Sequence, residues 1–170
     1  MPTIGDMYTK DVEVGGAPRH VEIDDTAGQE AYADLKKEKL ATGDGYLLVY
    51  SITDDTTFAK LDKVRDEVVK AHGGRAVPFI LVGTKADLAG DRAVTERERG
   101  AKAKAWGCAS FEVSSKTNAG VADAFAAVIE AVARADGSKG TGGGSVMGAG
   151  RTTHAELAAP PRKRGACAIA

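Results

Sequence analysis

The sequence of 170 residues has few aromatic side chains, few cysteines and almost no net charge. Phe, Trp and Tyr make up 5% of it, and the cysteines are Cys108 and Cys167, so a disulfide framework is not expected and a reducing compartment is favoured. No apolar run approaches the roughly 18 residues that a membrane-spanning helix needs. A net charge of −1 argues against nucleic acid as a partner, since phosphate binding needs clustered cations.

The charge is divided unevenly along the chain. Residues 134–170 carry six Lys/Arg and two acidic residues, a balance of +4, which leaves −5 for the rest. Residues 137–150 contain seven glycines and almost no apolar side chain, which is typical of a flexible linker. We therefore predict two parts, a folded domain over residues 1–135 and a flexible Gly-rich tail over residues 136–170.

Strand-like and helix-like segments alternate in the first part. A loose alternation over residues 7–14 ends at Gly15 and Gly16, which predicts a hairpin with a second strand over residues 19–23. Apolar runs predict buried strands at residues 46–52, 77–82 and 111–113. Helical periods fall between or after these runs, at residues 58–68 with Asp54 or Asp55 as the cap, 95–106 and 121–132. This order predicts an α/β fold, a mostly parallel sheet with helices on both faces.

Three polar motifs follow predicted strands. Residues 25–30 read DTAGQE, in which an aspartate at a strand end can hold a metal-bound water and a glycine lets a backbone N–H approach a phosphate. Residues 82–88 read VGTKADL, in which a carboxylate can accept both N–H groups of a guanine edge and a lysine can lie over the base. Residues 114–116 read SSK, ahead of the most amphipathic helix. Each motif by itself is also compatible with an ordinary polar turn.

Together and in this order, the motifs resemble those of the small GTPases of the Ras superfamily, from residue 1 to about residue 135. PTIGDMY, at residues 2–8, is similar to the switch I effector segment, and its combination with DTAGQE resembles the Ras and Rap branch. The resemblance implies a P-loop NTPase-like G domain that binds GTP or GDP with Mg²⁺ and hydrolyses GTP. It also implies effector, exchange-factor and GTPase-activating proteins as partners of a monomeric switch.

The resemblance implies a role for each matching residue. Thr3 and Asp25 would bind Mg²⁺, Gly28 would donate its N–H to the γ-phosphate, and Gln29 would position the attacking water. The nucleotide would be bound by Thr3, Asp25, Gly28, Thr84, Lys85, Asp87, Ser114, Ser115 and Lys116. Effector proteins would contact Pro2, Thr3, Ile4, Asp6 and Tyr8. Three residues depart from the usual pattern: Thr84 in place of asparagine, Gly5 in place of glutamate, and Asp24 in place of an apolar strand residue.

The sequence contains no phosphate-binding loop of the form G-x-x-x-x-G-K-[ST]. SVMGAGRT, at residues 145–152, lacks the first glycine and has arginine in place of lysine. In the family this loop, a first strand and a first helix precede switch I. We therefore expect an N-terminally truncated domain with weakened phosphate and Mg²⁺ binding and with two unpaired edges inside the sheet. The alternatives are a membrane-tethered decoy that binds no nucleotide and a non-functional fragment from a gene model.

The residues Cys-Ala-Ile-Ala, at 167–170, match the Cys-aliphatic-aliphatic-X prenylation signal, in which a last alanine favours farnesyl. Arg162, Lys163 and Arg164 lie just ahead of it and would bind an anionic membrane surface. We therefore expect a prenyltransferase as a further partner. A farnesyl group on Cys167 would hold the protein on the cytoplasmic face of the plasma membrane or of an endomembrane.

Overall fold

The computed structural model describes residues 7–14, 16–26, 40–138 and 165–169. Residues 40–42 are helical. The elements with longer bounds follow in the order β1 (Met7–Val14), β2 (Ala17–Thr26), β3 (Tyr46–Ser51), α1 (Asp55–Ala71), β4 (Phe79–Thr84), a 3₁₀ helix (Ala86–Asp91), α2 (Glu96–Trp106), β5 (Ala109–Glu112), α3 (Val121–Ser138) and β6 (Gly165–Ile169). In the described part of the chain, no helix combines the length and the apolar character that crossing a membrane requires.

The six strands form one sheet in the order β1-β2-β6-β3-β4-β5. β1 and β2 are the predicted antiparallel hairpin, with Met7 opposite Asp24 and Val14 opposite Ala17. All other neighbouring strands are parallel. Parallel neighbours need a crossover connection, which α1 supplies between β3 and β4 and α2 between β4 and β5. The prediction of an α/β fold with a mostly parallel sheet is confirmed.

The helices begin and end where local sequence provides caps. The cap predicted at Asp54 or Asp55 is Asp54, whose Oδ1 accepts a hydrogen bond from the Thr56 backbone N–H at 3.0 Å. α2 begins with a capping box, in which Thr95 and Glu98 each accept a hydrogen bond from the backbone N–H of the other. It ends at Gly107, whose φ of 65° is readily adopted by glycine.

The sheet separates two hydrophobic clusters. Successive residues of a strand point to opposite faces, so Leu47 belongs to one cluster and Leu48 to the other. The cluster beneath α1 and α2 contains Leu40, Tyr46, Leu48, Tyr50, Ile52, Leu61, Val64, Val68, Leu81, Val94 and Ala103. The cluster beneath α3 contains Leu47, Ile80, Val82, Val113 and Ala124. The prediction that helices cover both faces is therefore confirmed.

β6 lies between β2 and β3 inside the sheet. Its residues 165–168 pair with residues 23–26 of β2, and Ala168 and Ile169 pair with Leu48 and Val49 of β3. The expectation of two unpaired edges at this place is therefore wrong, because the C-terminal strand pairs with part of both. The division into a domain and a flexible tail at residue 135 stays a prediction. α3 continues to Ser138, and residues 139–164 lie outside the described residues.

Candidate functional site

The predicted nucleotide residues in the described part of the chain lie where parallel strands end. Asp25 is the last residue but one of β2, Thr84 ends β4, and Ser114 follows β5. The carboxyl ends of parallel strands meet at one edge of a sheet, which is the usual ligand edge of an open α/β fold. The structure therefore brings the TKAD and SSK motifs together and places the aspartate of DTAGQE at the same edge.

Ser114 connects the TKAD and SSK motifs directly. Its hydroxyl donates a hydrogen bond to Asp87 Oδ1 at 2.5 Å and accepts one from the Thr117 backbone N–H at 3.3 Å. Ser114 is 1% exposed, so its orientation is set by the fold. The hydrogen bond from the Ser114 hydroxyl is the main reason that the pKa of Asp87 lies below its usual range, and the positive charge of Lys116 lowers it by less. Asp87 is therefore ionised at neutral pH, with lone pairs left to accept further N–H groups.

Hydrogen bonds on both sides hold the loop that follows β4. Thr84 Oγ1 donates to the carbonyl oxygen of Tyr50 at 3.0 Å, and the Ala86 N–H donates to the carbonyl oxygen of Val113 at 3.1 Å. Lys85 lies between these anchors with φ 64° and ψ 35°, in the left-handed region that a side chain with a Cβ rarely adopts. Such backbone strain persists only where the surrounding structure enforces it, and it is concentrated at binding sites. Lys85 is exposed at the ligand edge.

The loop between β5 and α3 presents Ser115 and Lys116, both exposed. It is closed by a hydrogen bond from the Ser114 N–H to the carbonyl oxygen of Ala119 at 3.0 Å. Asn118 and Gly120 have φ angles of 60° and 70°, and a Cβ at Gly120 would lie 2.8 Å from the Glu112 carbonyl oxygen. Sequence reasoning assigned no role to these two residues. The Asn-Ala-Gly sequence ahead of the amphipathic helix could have indicated this turn, since Asn and Gly adopt left-handed conformations most readily.

Asp25 is the described member of the predicted Mg²⁺ pair. It is half-buried, and its Oδ1 is buried without a hydrogen-bond partner among the residues that the structure describes. A buried carboxylate oxygen is unfavourable unless a donor or a cation compensates it, so the chemistry of this atom fits a cation or its bound water. Within the described ranges, no group of three or more His, Cys, Asp or Glu could hold a metal ion.

The remaining predicted site residues are only partly described. Tyr8 lies on β1 and is 56% exposed, and the backbone of Cys167 lies in β6 opposite Asp25. The others lie outside the described residues, so their roles stay predictions: Pro2, Thr3, Ile4, Asp6, Gly28, Gln29, Arg162, Lys163 and Arg164.

Comparison with the families of known proteins gives a match between residues 1–134 and the family model described as Ras family. The matched range holds the strands from β1 to β5 and most of α3. It also holds every described residue of the candidate nucleotide site, from Asp25 to Lys116. β6 lies outside the matched range.

Proposed function

Because the chain belongs to the Ras family of small GTPases, we propose that it is a Ras- or Rap-type switch that reads guanine with Asp87. The observation that carries this proposal is the hydrogen bond from the buried Ser114 hydroxyl, which orients the Asp87 carboxylate at the ligand edge. That carboxylate can accept both N–H groups of the guanine edge, whereas adenine offers no matching pair. Lys85 and Lys116 would contact the two faces of the base, and Thr84 and Ser115 would complete the pocket.

Asp25 supports the part of the proposal that concerns Mg²⁺, since its Oδ1 is buried without a partner among the described residues and fits a metal-bound water. Mg²⁺ supplies neutralisation of the phosphate charge when it is bound. Thr3 is proposed as its second protein ligand, Gly28 as a donor to the γ-phosphate, and Gln29 as the residue that positions the attacking water. The 170 residues hold no G-x-x-x-x-G-K-[ST] segment, so we propose that phosphate and Mg²⁺ binding is weakened in them.

The proposal extends to partners and to a membrane. Effector proteins would contact Pro2, Thr3, Ile4, Asp6 and Tyr8, and exchange factors and GTPase-activating proteins would act on the nucleotide state. Farnesylation of Cys167 by a prenyltransferase would anchor the protein to a cytosolic membrane surface. Arg162, Lys163 and Arg164 would add about 1 kcal/mol each by attraction to anionic lipid. One lipid chain alone binds a membrane only marginally, which is why the cations matter.

Equilibrium binding of nucleoside diphosphates with Mg²⁺ tests the guanine site. We expect the full chain to bind GDP at least about tenfold more tightly than ADP, since hydrogen bonds to the base edge reject an analogue that lacks the matching groups. Asp87→Asn replaces an acceptor with an amide donor, so it should weaken GDP binding and favour xanthosine diphosphate, which carries an oxygen where guanine has its amino group. Asp91→Asn is the matched control, since Asp91 is exposed at the other end of the same 3₁₀ helix.

Equal affinity for GDP and ADP would contradict the assignment of Asp87. An unchanged base preference in Asp87→Asn would contradict it as well. If the full chain binds no nucleotide even at millimolar concentration, the switch proposal fails for these 170 residues and the nucleotide-free decoy replaces it.

A further inference from the structure

An ion pair lies at the far end of the segment that carries Asp87. Arg92 directly follows the 3₁₀ helix, and Glu112 is the last residue of β5, just ahead of the loop that contains Ser114. The Arg92 guanidinium donates to both carboxylate oxygens of Glu112, from Nη1 at 2.7 Å and from Nη2 at 2.8 Å. Two parallel bonds of this kind fix the orientation of both groups as well as their distance. The pair therefore ties the end of the 3₁₀ helix to β5.

Burial distinguishes this pair from an ordinary surface ion pair. The Arg92 and Glu112 side chains are only 20% and 16% exposed. Glu112 Oε1 also lies 3.6 Å from Nε of Arg99 in α2. The hydrogen bonds from Arg92 are the main reason that the pKa of Glu112 lies below its usual range, so this carboxylate is charged at neutral pH. Removal of one member of such a pair leaves the other charge buried without compensation.

The 3₁₀ helix is held at both ends. At its start, the Ala86 N–H donates to the carbonyl oxygen of Val113 at 3.1 Å, and at its end the ion pair holds it to β5. The hydrogen bond between Asp87 and Ser114 lies between these two anchors along the chain. A side-chain hydrogen bond weakens steeply when its distance or angle changes, so it depends on the backbones that carry its two partners. The orientation of the Asp87 carboxylate therefore depends on the ion pair as well as on Ser114.

We propose that Arg92 and Glu112 are positioning residues for guanine, and that their ion pair fixes the distance between the two loops that read the base. The inference rests on the proposed function, because it deepens the role given there to Asp87. Each of the two side chains acts through the backbone that it holds and not through contact with the nucleotide. Loss of the pair should therefore weaken guanine recognition while the groups that carry it out remain present.

Two substitutions in the full chain test this role in complementary ways. Lysine in Arg92→Lys keeps the positive charge but cannot form the two parallel bonds, so its effect comes from geometry and not from net charge. Glutamine in Glu112→Gln keeps the shape of the side chain and removes its charge. Arg65→Lys is the matched control, since Arg65 is a half-buried arginine of α1. Its guanidinium carbon lies 5.9 Å from the ring centre of Phe79, which begins β4 at the end opposite to the site.

The pKa of Asp87 in the nucleotide-free protein reports on the position of the two loops. We expect an NMR titration to give a higher Asp87 pKa in Arg92→Lys and Glu112→Gln than in the wild type and Arg65→Lys, because the bond from Ser114 is weakened. Loss of the Glu112 charge acting through space alone would lower the pKa of a neighbouring carboxyl, so the direction separates the two causes. An Asp87 pKa at or below the wild-type value in Arg92→Lys overturns the positioning role, even if Glu112→Gln fails to fold. An equal rise in Arg65→Lys overturns it as well.

Equilibrium binding of GDP and of ADP with Mg²⁺ measures the consequence for the base. A variant that is only less stable loses affinity for both nucleotides alike, whereas a displaced Asp87 lowers the preference for guanine. We expect the ratio of GDP affinity to ADP affinity to fall severalfold in Arg92→Lys and Glu112→Gln and to keep its wild-type value in Arg65→Lys.

An unchanged ratio in Arg92→Lys, together with a raised Asp87 pKa, contradicts the link between the ion pair and guanine. If the wild type binds GDP and ADP equally or binds neither, the proposed function fails and the link to guanine fails with it. The titration, which needs no nucleotide, then decides by itself whether the ion pair positions Asp87.

Discussion

Gly83 in β4 lies directly before Thr84 and Lys85, so its packing bears on the position of the loop that we propose to bind the nucleotide. A Cβ added at Gly83 would lie 2.8 Å from the Tyr50 hydroxyl oxygen and 2.9 Å from Ile52 Cγ2. Tyr50 is 1% exposed and Ile52 is 0% exposed, so neither side chain can turn outward without opening the core. The burial that holds the Tyr50 ring also raises the pKa of its hydroxyl to about 12.

The substitution Gly83→Ala should therefore destabilise the protein. Extra atoms in a well-packed core cost about 1–3 kcal/mol, because side chains leave their preferred rotamers or the backbone shifts. In a chain of this length, a loss of 1 kcal/mol in the free energy of unfolding lowers Tm by about 2–4 °C. We therefore expect Gly83→Ala to lower Tm by roughly 2–12 °C. Thermal unfolding followed by circular dichroism measures it. The shift should also reach the site, since the Gly83 carbonyl oxygen accepts the Val113 N–H at 2.8 Å next to Ser114.

Gly100→Ala is the matched control for Gly83→Ala. Gly100 lies inside α2, and a Cβ there would meet no heavy atom of the described residues within 4 Å. Alanine in an open helix interior stabilises by about 0.5–1 kcal/mol relative to glycine, so Tm should rise. Melting of Gly83→Ala at the wild-type temperature would contradict tight packing around Gly83, as would a shift of Tm in the same direction in both substitutions.

Two other substitutions test the site loop and the start of β3. Ser114→Ala should raise the pKa of Asp87 toward its ordinary value in an NMR titration and lower the affinity for GDP severalfold. Ser115→Ala, at an exposed position, is the control and should leave the pKa of Asp87 unchanged. An unaltered Asp87 pKa in Ser114→Ala would contradict the assigned hydrogen bond. His72 lies with its Nε2 2.7 Å from the Tyr46 hydroxyl oxygen, and burial lowers the pKa of its imidazole. Because the unfolded chain then binds the proton more readily than the folded protein, stability is lost as pH falls below about 6.5. The drop in Tm between about pH 7.5 and about pH 5.5 should be smaller in His72→Gln than in the wild type and in exposed His20→Gln, and equal drops would contradict this role.

Much of the fold could be predicted because its signals are local. The alternation in residues 7–14, the apolar run that begins at Tyr46 and the cap at Asp54 depend on neighbours along the chain. The contact between Asp87 and Ser114 could not be predicted in its detail, since the two residues are 27 positions apart. The sequence placed each of them after a strand, and only the parallel order of β4 and β5 brings them within a hydrogen bond.

The sequence by itself determined the types of β1 to β5 and of the three α-helices, and it indicated the residues that we propose to read guanine, because periodicity, caps and motifs are properties of short segments. The tertiary structure alone decided the place of the last strand. The glycine-rich composition ahead of it indicated a flexible tail, yet composition carries no information on which edges of a sheet stay open elsewhere in the chain. Residues 23–26 and 48–49 present such edges, and the uncharged segment 165–169 pairs with both of them.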